Sequence, residues 1–112
     1  MLAWNKSLRG FSAMATYEAF MRDARAEANT DSTRVRAAFD AMYECCRQKT
    51  GLAGPAEAVV DAALHVLTLS SADKGKMRDL CTWALHVAPL EPLPLSPDAA
   101  LALALRVHES FG

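Results

Sequence analysis

Residues 99–107 read Ala-Ala-Leu-Ala-Leu-Ala-Leu-Arg-Val, and this stretch decides the fold class. Just before it, Ser96 supplies a side-chain oxygen that can cap a helix, and Pro97 suits the first helical position. Asp98 then complements the helix dipole in the first turn. These signals predict a helix that is apolar almost all round. Such a helix is buried on several sides, either at the centre of its domain or by another chain.

Four further helical segments precede this one. Residues 89–97 contain four prolines and form a linker, because proline cannot continue a helix. Upstream, apolar side chains at helical spacing predict helices over about 14–28 and 33–49, and a third from Pro55 to Leu67. A fourth follows the capping residues Ser70, Ser71 and Asp73. No segment alternates as a strand does, so the sequence predicts an all-α, up-and-down bundle of about five helices.

The composition fits one small domain. Apolar residues make up 52% of the 112 residues and aromatic residues only 7%, so the core is built from Ala, Leu, Val and Met. We expect residues 14–112 to form a single helical domain. Residues 1–13 are basic and form an N-terminal extension or short helix. The net charge of −1 gives no general attraction to nucleic acid or membrane, and no apolar run is long enough to span a bilayer.

The cysteines and histidines suggest neither disulfides nor a metal site. Three cysteines, two of them adjacent, make a poor disulfide framework, so we expect reduced packing residues in a cytoplasmic protein. The three histidines fall on three different helices. A zinc site built from His65, His86, His108 and Cys81 is conceivable in a bundle, but no characteristic ligand spacing announces it. We therefore expect no metal and no cofactor.

Two polar stripes are the candidate sites. On the second helix, Arg36, Asp40, Tyr43, Glu44 and Arg47 share one side, either as a solvated face with charge pairs or as a groove for phosphate or RNA. The candidate ligand-binding residues among these are Arg36, Asp40, Tyr43 and Arg47. The spacing favours the solvated face with its charge pairs.

The second stripe lies on the fourth helix. There, Arg78, Thr82 and His86 stack along one edge at successive spacings of four. An arginine and a histidine facing one cleft could bind a phosphodiester and move a proton, since imidazole titrates near neutrality. About 12 Å of helix separates Arg78 from His86, so this candidate catalytic pair would have to act across a dimer cleft.

The segment Asp31-Ser-Thr-Arg-Val-Arg-Ala-Ala-Phe-Asp-Ala-Met-Tyr-Glu44 resembles HEPN domains, the higher eukaryotes and prokaryotes nucleotide-binding family. The likeness lies in a capped loop, a helix of the form Ala-x-x-Ala-aromatic and a helical hairpin after it. As a helix order it covers roughly residues 14–111. The resemblance implies a bundle of four to five helices that pairs as a dimer. Family members serve as ribonucleases, as toxins, or as inactive nucleotide- or RNA-binding modules.

The spacing of arginine and histidine departs from that of the active HEPN domains, in which four to six residues separate the two. Here seven residues separate Arg78 from His86, and one separates Arg106 from His108. We therefore expect a non-catalytic, homodimeric binding or interaction module associated with RNA or a nucleotide. One alternative is a divergent metal-independent ribonuclease of toxin type. Another is a structural assembly partner that binds a different protein through residues 99–107.

Overall fold

The computed structural model describes residues 16–85 and 92–111, without the side chain of the last of these. Within these ranges the chain forms five α-helices and no strand, which confirms the predicted all-α bundle. Helix α1 covers residues 16–25, α2 Asp31–Thr50, α3 Ala56–Val66, α4 Ser71–Leu85 and α5 Pro97–Phe111. The predicted extension, residues 1–13, lies outside the described residues.

Two side-chain caps and one glycine determine where α2 and α5 begin and where α2 ends. The Thr30 hydroxyl accepts a hydrogen bond from the Thr33 N–H at 3.2 Å and begins α2. Gly51 ends it, with a left-handed φ of 68°, and its N–H donates to the carbonyl of Arg47 at 2.9 Å. The Ser96 hydroxyl caps α5 by accepting from the Ala99 N–H at 3.2 Å, as the sequence predicts.

Helix α2 lies at the centre of the fold. It packs against α3, α4 and α5, and its buried residues cover most of its circumference. Only a narrow side, which includes Arg36 and Arg47, faces solvent. The largest fully buried side chains come from all five helices: Met21, Val35, Met42, Cys46, Val59, Met77, Leu80, Leu103 and Val107. One core therefore joins every described helix.

Helix α5 is not the central helix, although its residues 99–107 are apolar except for Arg106. It buries a single stripe, formed by Ala100, Leu103, Ala104 and Val107, against the rest of the core. The longer α2 takes the central place, because the other helices pack around it. Among the residues that the structure describes, none fully covers the opposite side of α5, and Leu105 there is 40% exposed. The sequence left two alternatives for this helix, burial at the centre of the domain or burial by another chain. The fold does not show the first.

Polar side chains tie the helices together at their ends. The Arg34 guanidinium donates from Nε to the carbonyl of Ala24 at 2.9 Å, and its Nη2 lies 3.5 Å from an Asp98 carboxylate oxygen. This arginine joins the end of α1, the start of α2 and the start of α5. Among the helices of residues 16–85 and 92–111, none combines the length and apolar character that crossing a membrane requires.

Candidate functional site

A groove of about 580 Å³ runs between α3 and α4. Buried side chains form its floor, and exposed polar side chains form its rim. From α3 it is lined by Glu57, Ala58, Val60, Asp61 and Leu64, and from α4 by Arg78, Cys81 and Thr82. Arg78 and Thr82 belong to the fourth-helix stripe, so the structure places half of the candidate catalytic pair in this groove. The other half, His86, lies outside the described residues.

One carboxylate on the rim contacts both a histidine and an arginine. The two oxygens of Asp61 lie 3.9 Å from Nε2 of His65 and 3.9 Å from Nη2 of Arg78. These distances are charge contacts, because they are too long for hydrogen bonds. All three side chains are more than half exposed. The helical spacing of four residues creates the Asp61–His65 pair within α3, whereas the packing of α4 against α3 brings Arg78 beside it.

The charge of the rim is more negative than positive. Glu57 lies one helical turn before Asp61 on α3, and both carboxylates line the groove. Arg78 is the one cation among the lining residues. An anionic ligand in the groove, such as a phosphate, would be repelled by the two carboxylates and attracted by the one guanidinium. The groove therefore suits a neutral or cationic group better than an anion.

The second-helix stripe is occupied by contacts within the chain. Nε of Arg36 donates to an Asp40 oxygen at 3.2 Å, and its Nη1 donates to the carbonyl of Ala84, near the end of α4, at 2.8 Å. Nη2 of Arg47 donates to a Glu44 oxygen at 2.7 Å. Both charge pairs that the spacing predicts are present. The hydrogen bond from Arg36 to Ala84 also joins α2 to α4, and the sequence does not predict this contact.

The remaining members of this stripe are partly withdrawn from water. Tyr43 is half-buried, and its ring lies 6.3 Å from that of Phe39, nearly parallel to it. Burial raises the pKa of the Asp40 carboxyl, and the neighbouring Arg36 guanidinium opposes that rise. Glu44 is buried, so its carboxylate depends on the pairing with Arg47. All four candidate ligand-binding residues therefore make contacts within the chain.

All three cysteines are buried and free. Burial raises the pKa of Cys45 to about 11 and that of Cys46 to about 12, and it also raises the pKa of Cys81 on the groove floor. Because the thiolate is the reactive form, these thiols are poor nucleophiles at neutral pH. Their environment is that of packing residues.

Two features of a chain would mark a site for a cofactor or a metal ion, namely buried polar atoms without a hydrogen-bond partner and clusters of metal-binding side chains. In the part of the chain that the structure describes, no buried side-chain nitrogen or oxygen lacks a hydrogen-bond partner. Across residues 16–85 and 92–111, no three His, Cys, Asp or Glu side chains come together as a metal site requires. Comparisons with known proteins give no match, whether with family models, with curated proteins or with solved structures. The groove and the two stripes are therefore interpreted from their own chemistry.

Proposed function

We propose that this chain is a non-catalytic, HEPN-like helical interaction module of the cytoplasm, which acts by associating with other protein chains and first with a second copy of itself. One observation carries the proposal: the cations that the sequence offers for ligand binding are already paired within the chain. Arg36 and Arg47 each donate to a carboxylate, and Arg78 lies beside one.

This pairing weighs against RNA or a nucleotide as the main ligand. Phosphate binding gains affinity from arginine and lysine side chains that neutralise it. Recruiting Arg47 would leave the buried Glu44 carboxylate without its cation, which costs free energy. Recruiting Arg36 would remove the bond between α2 and the carbonyl of Ala84. A protein partner has no need of these cations, and it can cover Leu105, which is 40% exposed on the outer side of α5.

A metal-independent ribonuclease is the second candidate function. The closeness of His65 and Arg78 favours it, whereas the carboxylates of Glu57 and Asp61 oppose a phosphate there. His65 and Arg78 are both 3.9 Å from the Asp61 carboxylate, which brings a histidine and an arginine of α3 and α4 together. A histidine can move a proton and an arginine can hold a phosphate. We rank this function second because all three side chains are open to solvent, whereas catalytic groups work best where water is excluded.

The test combines mass with ligand binding. Light scattering at micromolar concentration should give twice the monomer mass, and fluorescence polarisation should show no binding of labelled single-stranded RNA or of a labelled nucleotide at physiological salt. Tight RNA binding that falls steeply with added salt would instead support a nucleic-acid module. A strict monomer at every accessible concentration would contradict self-association.

A further inference from the structure

Four side chains form a second stripe along α5, beside its buried one. Asp98, Leu101, Leu105 and His108 follow one another at intervals of three, four and three residues, which is the spacing of the contact positions of a coiled coil. Leu101 is half-buried and Leu105 is 40% exposed. The Asp98 side chain is 94% exposed, and His108 is exposed as well. This stripe, called the α5 seam below, has two leucines in the middle and one polar residue at each end.

We propose that the α5 seam pairs with the α5 seam of a second copy of this chain, with the two helices antiparallel. The inference rests on the self-association in the proposed function. It adds which surface of the chain forms the dimer and which residues of the two copies lie opposite one another. In this register each Leu101 packs on the second copy's Leu105, which gives two leucine layers at the centre. Each Asp98 then meets the second copy's His108 at the two ends.

The polar ends of the seam decide the direction of the second helix. A parallel pair would place Asp98 against its own copy, and two carboxylates at close range repel. An antiparallel pair places a carboxylate opposite an imidazole, whose N–H can donate to it. Every layer of the antiparallel register is thus complementary.

Both polar ends of the seam have a neighbour within the chain. The His108 ring stacks on that of Tyr17, with centroids 4.5 Å apart and an angle of 17° between the planes. Stacking occupies one face of the imidazole and leaves its nitrogens at the edge. Asp98 lies 3.5 Å from Nη2 of Arg34, at the first turn of α5. The stacked imidazole therefore loses little freedom on pairing, and this lowers the cost of association.

The first experiment asks whether the seam is the interface. Sedimentation equilibrium of the full chain should show that Leu105→Glu weakens the dimer at least about tenfold, because it places a carboxylate against leucine. The matched controls are Leu52→Glu and Val66→Glu, which change side chains that are 45% and 60% exposed elsewhere on the surface. Circular dichroism confirms that each variant is folded. A folded Leu105→Glu variant that dimerises as the wild type does would overturn the seam and leave the proposed function standing.

The second experiment asks about direction. His108→Asp should weaken the dimer, because it puts two carboxylates together at each end. Adding Asp98→Lys to the same chain should restore the affinity to within a few-fold of the wild type, since each end then pairs a lysine with an aspartate. In a parallel dimer the double variant would still place like charges together at both ends, so the affinity would not recover. Failure of the double variant to recover, or a wild-type chain that is a monomer throughout, would refute the antiparallel seam.

Discussion

The guanidinium of Arg106 donates two hydrogen bonds to the carboxylate of Asp73, from Nε at 2.8 Å and from Nη2 at 3.0 Å. The two residues are 33 positions apart in the chain, so the contact joins the first turn of α4 to the second half of α5. Asp73 is largely covered, and the hydrogen bonds from Arg106 lower the pKa of its carboxyl. Two parallel bonds in a partly covered place are the geometry in which an ion pair contributes to stability.

Removing one partner of this pair should destabilise the fold. We expect Arg106→Lys and Asp73→Asn each to lower the free energy of unfolding by about 1 kcal/mol, because neither variant can keep both charge-assisted bonds. Urea denaturation followed by circular dichroism measures this. Asp79→Asn is the matched control, since it removes an exposed carboxylate from the same helix. Equal stability of all three variants and the wild type would contradict the role given to the pair.

The same pair predicts the acid limb of the stability curve. A carboxyl whose pKa is lowered by folding contributes stability above its unfolded pKa of about 3.9, and loses that contribution as the pH falls through its folded pKa. The stability difference between the wild type and Asp73→Asn should therefore be full at pH 6 and vanish in strong acid. Urea titrations at several pH values check this, and a difference that grows on acidification would show that the sign is wrong.

Two leucines two positions apart on α5 should respond differently to truncation. Leu103 is fully buried, so Leu103→Ala should cost about 2–5 kcal/mol through lost burial and the cavity left behind. Leu105 is 40% exposed, and Leu105→Ala should cost less than about 1 kcal/mol when measured at a concentration where the chain is monomeric. Similar costs at both positions would mean that the outer side of α5 is covered within the chain.

The buried thiols and Tyr17 predict an alkaline limit. Burial raises the pKa of Cys46 from its usual 9.0 to about 12 and that of Tyr17 from 10.0 to about 12. These groups keep their protons in the native state after the unfolded chain has lost them, so their contribution is complete below about pH 9 and falls as the pH rises toward 12. Stability measured from pH 8 to 11 should decline, and less steeply in Cys46→Ala.

Thiol counting gives an independent check of the same burial. A disulfide reagent at pH 8 should react slowly with the native protein and should find three free thiols per chain after denaturation without reductant. Rapid reaction of the native protein at Cys81 would mean that the groove floor is open to the reagent.

The ribonuclease alternative makes its own prediction. If His65 moves a proton and Arg78 holds a phosphate, His65→Ala and Arg78→Ala should each abolish RNA cleavage in the presence of a chelator, while leaving the melting temperature nearly unchanged. His86→Ala tests the pair that the sequence suggested, with Arg22→Ala as a control for the loss of an exposed cation. We expect no cleavage by the wild-type chain. Metal-independent cleavage that both His65→Ala and Arg78→Ala abolish would overturn the non-catalytic proposal.

Local features of this fold could be predicted from the sequence, because they depend on residues close together in the chain. The capping by Ser96 and the stop at Gly51 are of this kind. The apolar spacing predicts that α1 extends to Ala28, and this end is wrong by three residues. The described helix ends at residue 25, because a turn follows in which the Asn29 side chain donates to the carbonyl of Asp23 at 3.1 Å. Asparagine competes for backbone groups in this way, and apolar spacing alone does not show it.

Contacts between helices could not be predicted in the same way. Periodicity shows which side of a helix is apolar, but not which neighbour covers it, so α2 and α5 could not be ranked for the central place. The approach of Arg78 to Asp61 and the bond from Arg36 to the carbonyl of Ala84 depend on how α4 packs against α3 and α2. The charge pairs within α2 were predictable because a fixed helical spacing creates them.

The central position of α2 bears on how the chain opens. Its backbone amides are shielded by helices from both ends of the sequence, so exposing Val35 or Met42 to solvent requires several helices to separate at once. Hydrogen exchange in this helix should therefore proceed only through global unfolding, with α2 exchanging last. Removing α5 would leave apolar surface of α2 in water, so we expect these helices to unfold as one cooperative unit.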